Sequence, residues 1–217
     1  MAGPTPLIRP ARPEDVDAAT PRIFSSGPDS FRYVFARRCP DEAHAFIADA
    51  FIREHTELSY RYHWVAEVDG DVVGTAAGYT GTTAERFLWP IIGRIFRFYG
   101  PLIGLQVVRY GLNIEKAIIP PKGPDVFYIA NVGVHPAFQG KGIGALLFKH
   151  LHAEALEQNA THTALDVSVE NPRAEALYTR LGYTVSYELP SEFKNKSGYI
   201  PGHRRMEFRM ENSGIEN

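Results

Sequence analysis

Val132-Gly133-Val134-His135-Pro136-Ala137-Phe138-Gln139-Gly140-Lys141-Gly142-Ile143-Gly144 carries a strand into a loop and the loop into a helix. Gly140, Gly142 and Gly144 remove side chains where the helix begins, so their backbone N–H groups can face a ligand unobstructed. The positive end of the helix dipole and the Lys141 charge favour an anion there, above all a phosphate or diphosphate. A Walker loop would need Ser or Thr after Gly-Lys, and the glycine spacing G-x-G-x-G departs from the dinucleotide fingerprint. The glycines alone are equally compatible with a turn that merely caps a helix.

Downstream residues add to this reading. Asn171-Pro172 fits an N-cap followed by proline at the first helical position, and Gly182 fits the position just past the helix end. Ala174, Leu177, Tyr178 and Leu181 then share one face, with Tyr178 turned inward. Around this core, strands are expected at Leu7–Arg9, Tyr60–Val68, Val72–Tyr79, Asp125–Val134, His162–Val169, Tyr183–Glu188 and Arg204–Met210. Asp69-Gly70-Asp71 is the turn between the second and third, and Gly74 and Gly78 mark a bulge or a close approach. Helices are expected from Pro13, over Asp41–Glu54, over Ile143–Gln158 and over Pro172–Leu181, with Ser25–Ser30 as a loop. Residues 81–123 form an apolar, aromatic-rich insertion that ends in the stiff linker Pro120–Pro124. The pattern is α+β around a mixed sheet, in a single domain over residues 5–212 with a flexible tail at 213–217.

The 217 residues are 44% hydrophobic and 22% charged, enough for a core that supports a cleft. A formal net charge of -2 argues against a general nucleic-acid or anionic-membrane binder. The single Cys39 excludes an internal disulfide and multi-cysteine metal sites, and suits a reducing cytoplasm. Met1–Pro13 lacks the apolar run of a signal peptide. Arg94, Arg97, Arg109, Pro90 and Pro101 interrupt the apolar stretch Phe87–Ile114, against a spanning helix. No metal site is expected.

Val132–Pro136, Gln139–Gly144, Asn171–Tyr178 and Leu181-Gly182-Tyr183, in this order and spacing, resemble the GNAT superfamily of acetyltransferases. The resemblance covers about residues 126–187. It implies a GNAT-type, mostly antiparallel mixed sheet flanked by helices, the insertion lying between the third and fourth strands. It also implies acetyl-CoA as cofactor and direct transfer of acetyl to an amine of a small molecule or protein. The strand ending at Val134 would splay from its neighbour near Ala164. The pantetheine arm would bond to the backbone around Val132, Gly133 and Val134. The diphosphate would rest on Gln139, Gly140, Lys141, Gly142, Ile143 and Gly144, and Asn171 would touch the arm. Tyr178 would lie by the thioester sulfur as the catalytic acid, protonated at neutral pH.

The family's usual glutamate before the turn is replaced here by Ala130 and Asn131. Asn131 can hold a water or bind substrate. Glu67, Asp125 and His135 are the other base candidates, beside a water relay without a dedicated base. The acceptor site would draw on Asn131, Phe31, Tyr33, Tyr79 and the loop 189–203. The insertion is either a lid walled by Trp89, Phe96, Phe98 and Tyr99, or a peripheral helical pair that makes a homodimer contact. Competing functions are a CoA-binding sensor, and transfer of a longer acyl group or to a hydroxyl.

Overall fold

The computed structural model describes residues 6–117 and 123–210. Its sheet contains the strands β1 (Leu7–Pro10), β2 (His63–Val68), β3 (Asp71–Thr80), β4 (Val126–Val134), β5 (His162–Ser168), β6 (Thr184–Leu189) and, after a small hairpin of β7 (Lys194–Asn195) and β8 (Gly198–Tyr199), β9 (His203–Arg209). Asp69 and Gly70 take positive φ, 53° and 89°, as a two-residue hairpin turn of the primed type requires. Val68 pairs with Asp71, so Asp71 belongs to β3 and not to the turn. Tyr60–Tyr62, expected as the start of a strand, is a 3-10 turn whose first free N–H, on Arg61, is taken by the Ser59 hydroxyl. The strand order is β1-β2-β3-β4-β5-β9-β6. Every neighbouring pair is antiparallel except β4 and β5.

The two faces of the sheet bury different helices, as alternation along a strand dictates. Val65 packs with α1 (Val16–Ser25) and α3 (Glu42–Phe51), while Ala66 and Val68 pack with α6 (Ile143–Glu157) and α7 (Pro172–Arg180). Between α1 and α3 lies α2 (Pro28–Phe35), where the sequence suggested only a loop at Ser25–Ser30. Pro28 is the cause. It occupies the first helical turn, where a missing N–H costs nothing, and so starts this helix. The β7–β8 hairpin sits on α2, with the Asn195 side chain donating to the Tyr33 carbonyl at 3.0 Å.

The insertion forms a short α4 (Gly81–Ala84) and α5 (Leu88–Ala117), the latter broken at Gly100, whose φ of 73° and ψ of 176° lie outside the helical region. Past this break the chain turns back. A Cβ on Gly104 would stand 3.3 Å from the Phe96 Cα, an approach impossible along one continuous helix. α5 is therefore a helical hairpin. Its composition and length over Gly81–Ile114 would suit a membrane crossing, but each leg is shorter than the about 20 residues a crossing needs. The linker residues 118–122 and the tail 213–217 lie outside the described residues.

The glycines of the sheet are sites of close approach. On Gly78 a Cβ would stand 2.5 Å from the Phe127 ring, and on Gly133 only 2.0 Å from the Arg22 carbonyl oxygen at the end of α1. The Gly133 obstacle is backbone, which cannot swing aside. Gly133→Ala is expected to lower stability by about 2 kcal/mol or more, seen as a fall in the urea midpoint with an unchanged slope. A wild-type midpoint would show that α1 does not press on β4.

Candidate active site

β4 and β5 stay paired only over Val126–Tyr128 with His162–Ala164. Beyond that the strands part. The cause lies within β4. Thr75 pairs with Gly133 and Ala77 with Ala130, so Asn131 and Val132 together face Ala76. This is a bulge, and Asn131 takes the left-handed φ of 54° that it needs, a conformation asparagine tolerates better than most residues. The His135 N–H donates to the Val73 carbonyl at 2.7 Å, so alternation turns the backbone of Val134 the other way, into the opening. The β4 strand therefore offers Val134 backbone groups where β5 has left, and Val132 lines the opening.

At the end of β4 comes the glycine-rich turn. Gly140 and Gly142 have φ of 78° and 84°, and Gly142 stands at the N-cap of α6 with no side-chain cap. Among the described residues nothing accepts from the amides of Gly140 to Ala145. Such a ring of free donors at a helix start is the physical requirement for holding an anion. Lys141 is exposed beside it, its Nζ 4.9 Å from the Phe138 ring centre. Ile143 differs: its side chain is buried in the core, leaving only its amide to face the turn. Gly144 serves packing too, since a Cβ there would meet Leu177 at 3.1 Å. The Gln139 amide is clamped. Its Nε2 donates to the Val134 carbonyl at 3.1 Å and its Oε1 accepts from Arg173 at 2.7 Å. Arg173, which no sequence signal had marked, thus brings a second positive charge to the turn.

A cavity of about 430 Å³ continues inward from the opening. Asn131, Val132, Asn171 and Tyr178 line it, with Ala130 of β4 and Val167 and Ser168 of β5. The Asn171 Oδ1 caps α7 by accepting from the Ala174 N–H at 3.1 Å. Tyr178 packs against Phe148, ring centres 5.2 Å apart, and burial pushes its hydroxyl up to about 12. Phe31 and Tyr79 line the cavity too. Tyr33 does not. It is buried in the helical core, with its hydroxyl accepting from Asn113 at 2.8 Å. Of the loop 189–203 only His203 reaches the cavity.

None of the suggested bases lines the cavity. Glu67 pairs with Arg9 at 2.7 Å, and Arg9 in turn holds Asp15. Asp125 precedes β4 at the end remote from the turn, where its carbonyl accepts from Thr161 at 2.8 Å. The His135 Nδ1 accepts from the Ala137 N–H at 3.2 Å. The insertion does wall the cavity, but through Leu88, Ile91, Ile92, Ile95, Val108 and Leu112. The aromatics nominated for that role are not there. Trp89 is 77% exposed, Phe96 is exposed, and Phe98 and Tyr99 turn toward Phe46 in the core.

Two polar groups went unread in the sequence. Asp166, which lines the cavity, accepts from Tyr128 at 2.6 Å and from Arg205 at 3.0 and 2.8 Å, with pair side chains 2% and 4% exposed. His63 lies fully buried on β2. Its Nδ1 contacts the Ser59 carbonyl at 2.7 Å and its Nε2 the Asn131 Nδ2 at 3.4 Å. Burial pushes its pKa down to about 4, against a small opposing effect of the Ser59 carbonyl. The neutral ring then donates from Nδ1 and accepts at Nε2, which fixes the amide of Asn131 at the bulge.

The profile of the Acetyltransferase (GNAT) family matches residues 22–183. The chain belongs to this family. Its fold is that of solved relatives below 25% identity. An acetyltransferase crystal structure is 22% identical, with a TM-score of 0.68, covering 94% of this chain and 100% of that one. An N-acetyltransferase from Staphylococcus aureus Mu50 is 17% identical, TM-score 0.67, covering 93% and 100%. The yncA protein of Salmonella typhimurium, solved with its cofactor acetyl-CoA, is 18% identical, TM-score 0.51, covering 98% of each. The family's cofactor is acetyl-CoA, and the free amides, Lys141 and Arg173 fit its anionic portion.

The unfolded chain takes up a proton on His63 near pH 6.5, the folded chain only near 4. The stability tied to the neutral ring is therefore complete above pH 6.5 and drains away as pH falls toward 4, by about 3 kcal/mol in all. Urea titrations at pH 7.5 and 4.5 should show this loss in the wild type and a markedly smaller one in His63→Gln. Equal losses in both would remove His63 from the account.

Proposed function

We propose that this acyltransferase moves an acetyl group from acetyl-CoA directly to an amine, at the junction where the β4–β5 opening meets the cavity. The observation that carries this reading is the continuity of the two spaces. Free amides and basic side chains follow the end of β4, and the same strand, with Tyr178, lines an acceptor-sized cavity where β5 has parted from it. When bound, acetyl-CoA supplies an activated acetyl group on a thiol leaving group.

The protein's own groups divide the work. Gly140 to Ala145 would hold the diphosphate, with Lys141 and Arg173 adding charge. The Val132 and Val134 backbone would receive the pantetheine arm, helped by Asn171, and Asn131 would orient the acceptor or a water. A Val134 N–H facing the opening is a donor for the oxygen that gains charge. Tyr178 keeps its proton at Oη across the working pH range, because burial weakens it as an acid. A thiol is the stronger acid by several units. The phenol therefore acts mainly by donating a hydrogen bond to a sulfur that becomes anionic, and less by complete proton transfer. With Glu67, Asp125 and His135 removed from the junction, the amine's proton leaves through water. The cytoplasm, with its reduced thiols and acetyl-CoA, is the compartment this chemistry suits.

Loss of one hydrogen bond to a charged group is worth about 1.5–3 kcal/mol, so Tyr178→Phe should lower kcat by about 10- to 100-fold. Calorimetry should show its CoA affinity unchanged. The wild-type rate should show no descending limb below about pH 10. Arg173→Ala should instead weaken CoA binding by about tenfold, more at low salt. Thiol release that is equally fast in Tyr178→Phe would refute the donor role. CoA binding without thiol release for any amine would favour a sensor over an enzyme.

A further inference from the structure

The α5 hairpin keeps an outer apolar face that no described residue covers. Each leg buries one stripe in the helical core, Ile95 and Tyr99 from the first and Val107 from the second. The other stripe of each leg faces solvent. It carries Trp89, Phe96 and Arg97 on the first leg, and Leu102, Leu105 and Arg109 on the second, at spacings that return to one side of a helix. Leu102 is 82% exposed and Leu105 64%. Large apolar side chains gathered this way on a surface mark a place of interaction. The chemistry of the face narrows what it meets. From Phe87 to Ile114 there is no Asp, Glu, Lys, Ser or Thr, and the charges are Arg94, Arg97 and Arg109. Arg94 is held by Asp49, whereas no carboxylate meets Arg97 or Arg109 among the described residues. Besides these arginines, Gln106 and the Trp89 N–H are the hydrogen-bonding groups among the exposed side chains. A protein interface carries about one hydrogen bond per 100–200 Å², and this face has few to give. A second copy laid face to face would bring the arginines of each copy toward those of the other, with no acid to receive them.

We infer that the outer face of the α5 hairpin lies on a membrane surface that contains anionic lipid. Leu102, Leu105, Trp89 and Phe96 sit at the acyl boundary, which asks for no hydrogen bonds, and Arg97 and Arg109 extend to the lipid phosphates. Trp89 suits this boundary, with an apolar ring and one polar N–H. The hairpin lies on the bilayer and does not cross it, in keeping with its short legs. The formal charge of -2 belongs to the whole chain. Charges farther away than about 10 Å are largely screened at 0.1 M salt, so the arginines of the face itself decide the sign. Leu88 and Leu112 are exposed and also wall the cavity, so docking sets that wall beside the lipid. The inference is independent of the chemistry proposed above.

The test floats the full-length protein with vesicles of phosphatidylcholine, with and without phosphatidylglycerol. Binding should be about tenfold tighter or more to the anionic vesicles, and should weaken as salt is added. An arginine near an anionic surface is worth about fivefold in partitioning, so Arg97→Gln with Arg109→Gln should cut that binding by about 25-fold. Leu102→Asp with Leu105→Asp should lower it by about tenfold or more. CoA affinity should stay at the wild-type value in both, since none of these residues lines the cavity. Trp89 emission should shift to the blue when anionic vesicles are added. The shift should vanish in Trp89→Phe, where Trp64 alone reports. No binding to anionic vesicles, equal binding with and without phosphatidylglycerol, or wild-type binding by both double variants would overturn the inference. So would an unmoved Trp89 emission. Self-association in the ultracentrifuge that Leu102→Asp with Leu105→Asp abolishes would overturn it too, because a second copy would then cover the face.

Discussion

Parallel pairing between β4 and β5 lasts three residues and then fails, and the site is a product of that failure. Two features force it. The bulge at Asn131 and Val132 redirects β4, and α1 lies hard against Gly133 from the opposite side of the sheet. A strand bent in this way carries unpaired backbone groups at its edge, ordinarily a liability. Here the same groups become a ready surface for an extended ligand, and the next segment supplies unpaired helix-start amides. Both regions depend on polar backbone that the fold itself does not satisfy.

The remaining structure holds this opening in shape. His63 of β2 holds the Asn131 side chain from across β3. Asp166 and Arg205 join β5 to β9 under the cavity, with Tyr128 of β4 as a third member. A buried ion pair is costly to assemble and costly to break, and this one ties three strands together where they begin to separate.

The sequence told most where the backbone needed a particular residue. Gly140, Gly142 and Gly144 announce a bare turn at a helix start, Asn171-Pro172 announces a capped helix, and Asp69-Gly70 announces the hairpin; all three appear. It told least where a partner comes from far along the chain. Nothing near Asn131 points to His63, and nothing near Asp166 points to Arg205. The aromatics of the insertion were nominated for their size, but Phe98 and Tyr99 found Phe46 in the helical core, leaving the smaller aliphatic residues to face the cavity. Tyr33 was misjudged likewise, for a hydroxyl satisfied by Asn113 can be buried as readily as a phenyl ring. Ser25–Ser30 was read as a loop for its turn-forming residues, and Pro28 within it begins a helix.

Gln139 adds a polar link between two parts of the molecule that also pack on each other. Its amide joins the Val134 carbonyl to Arg173, and Arg173 is on the same short helix as Tyr178. The spacing from the glycine turn to the phenol is thereby tied by a surface hydrogen bond as well as by the packing of Leu177 on Gly144. A shortened residue at 139 would let that helix drift by a fraction of an ångström, altering the alignment of a long ligand gripped at one end and acted on at the other while leaving every group that touches it intact.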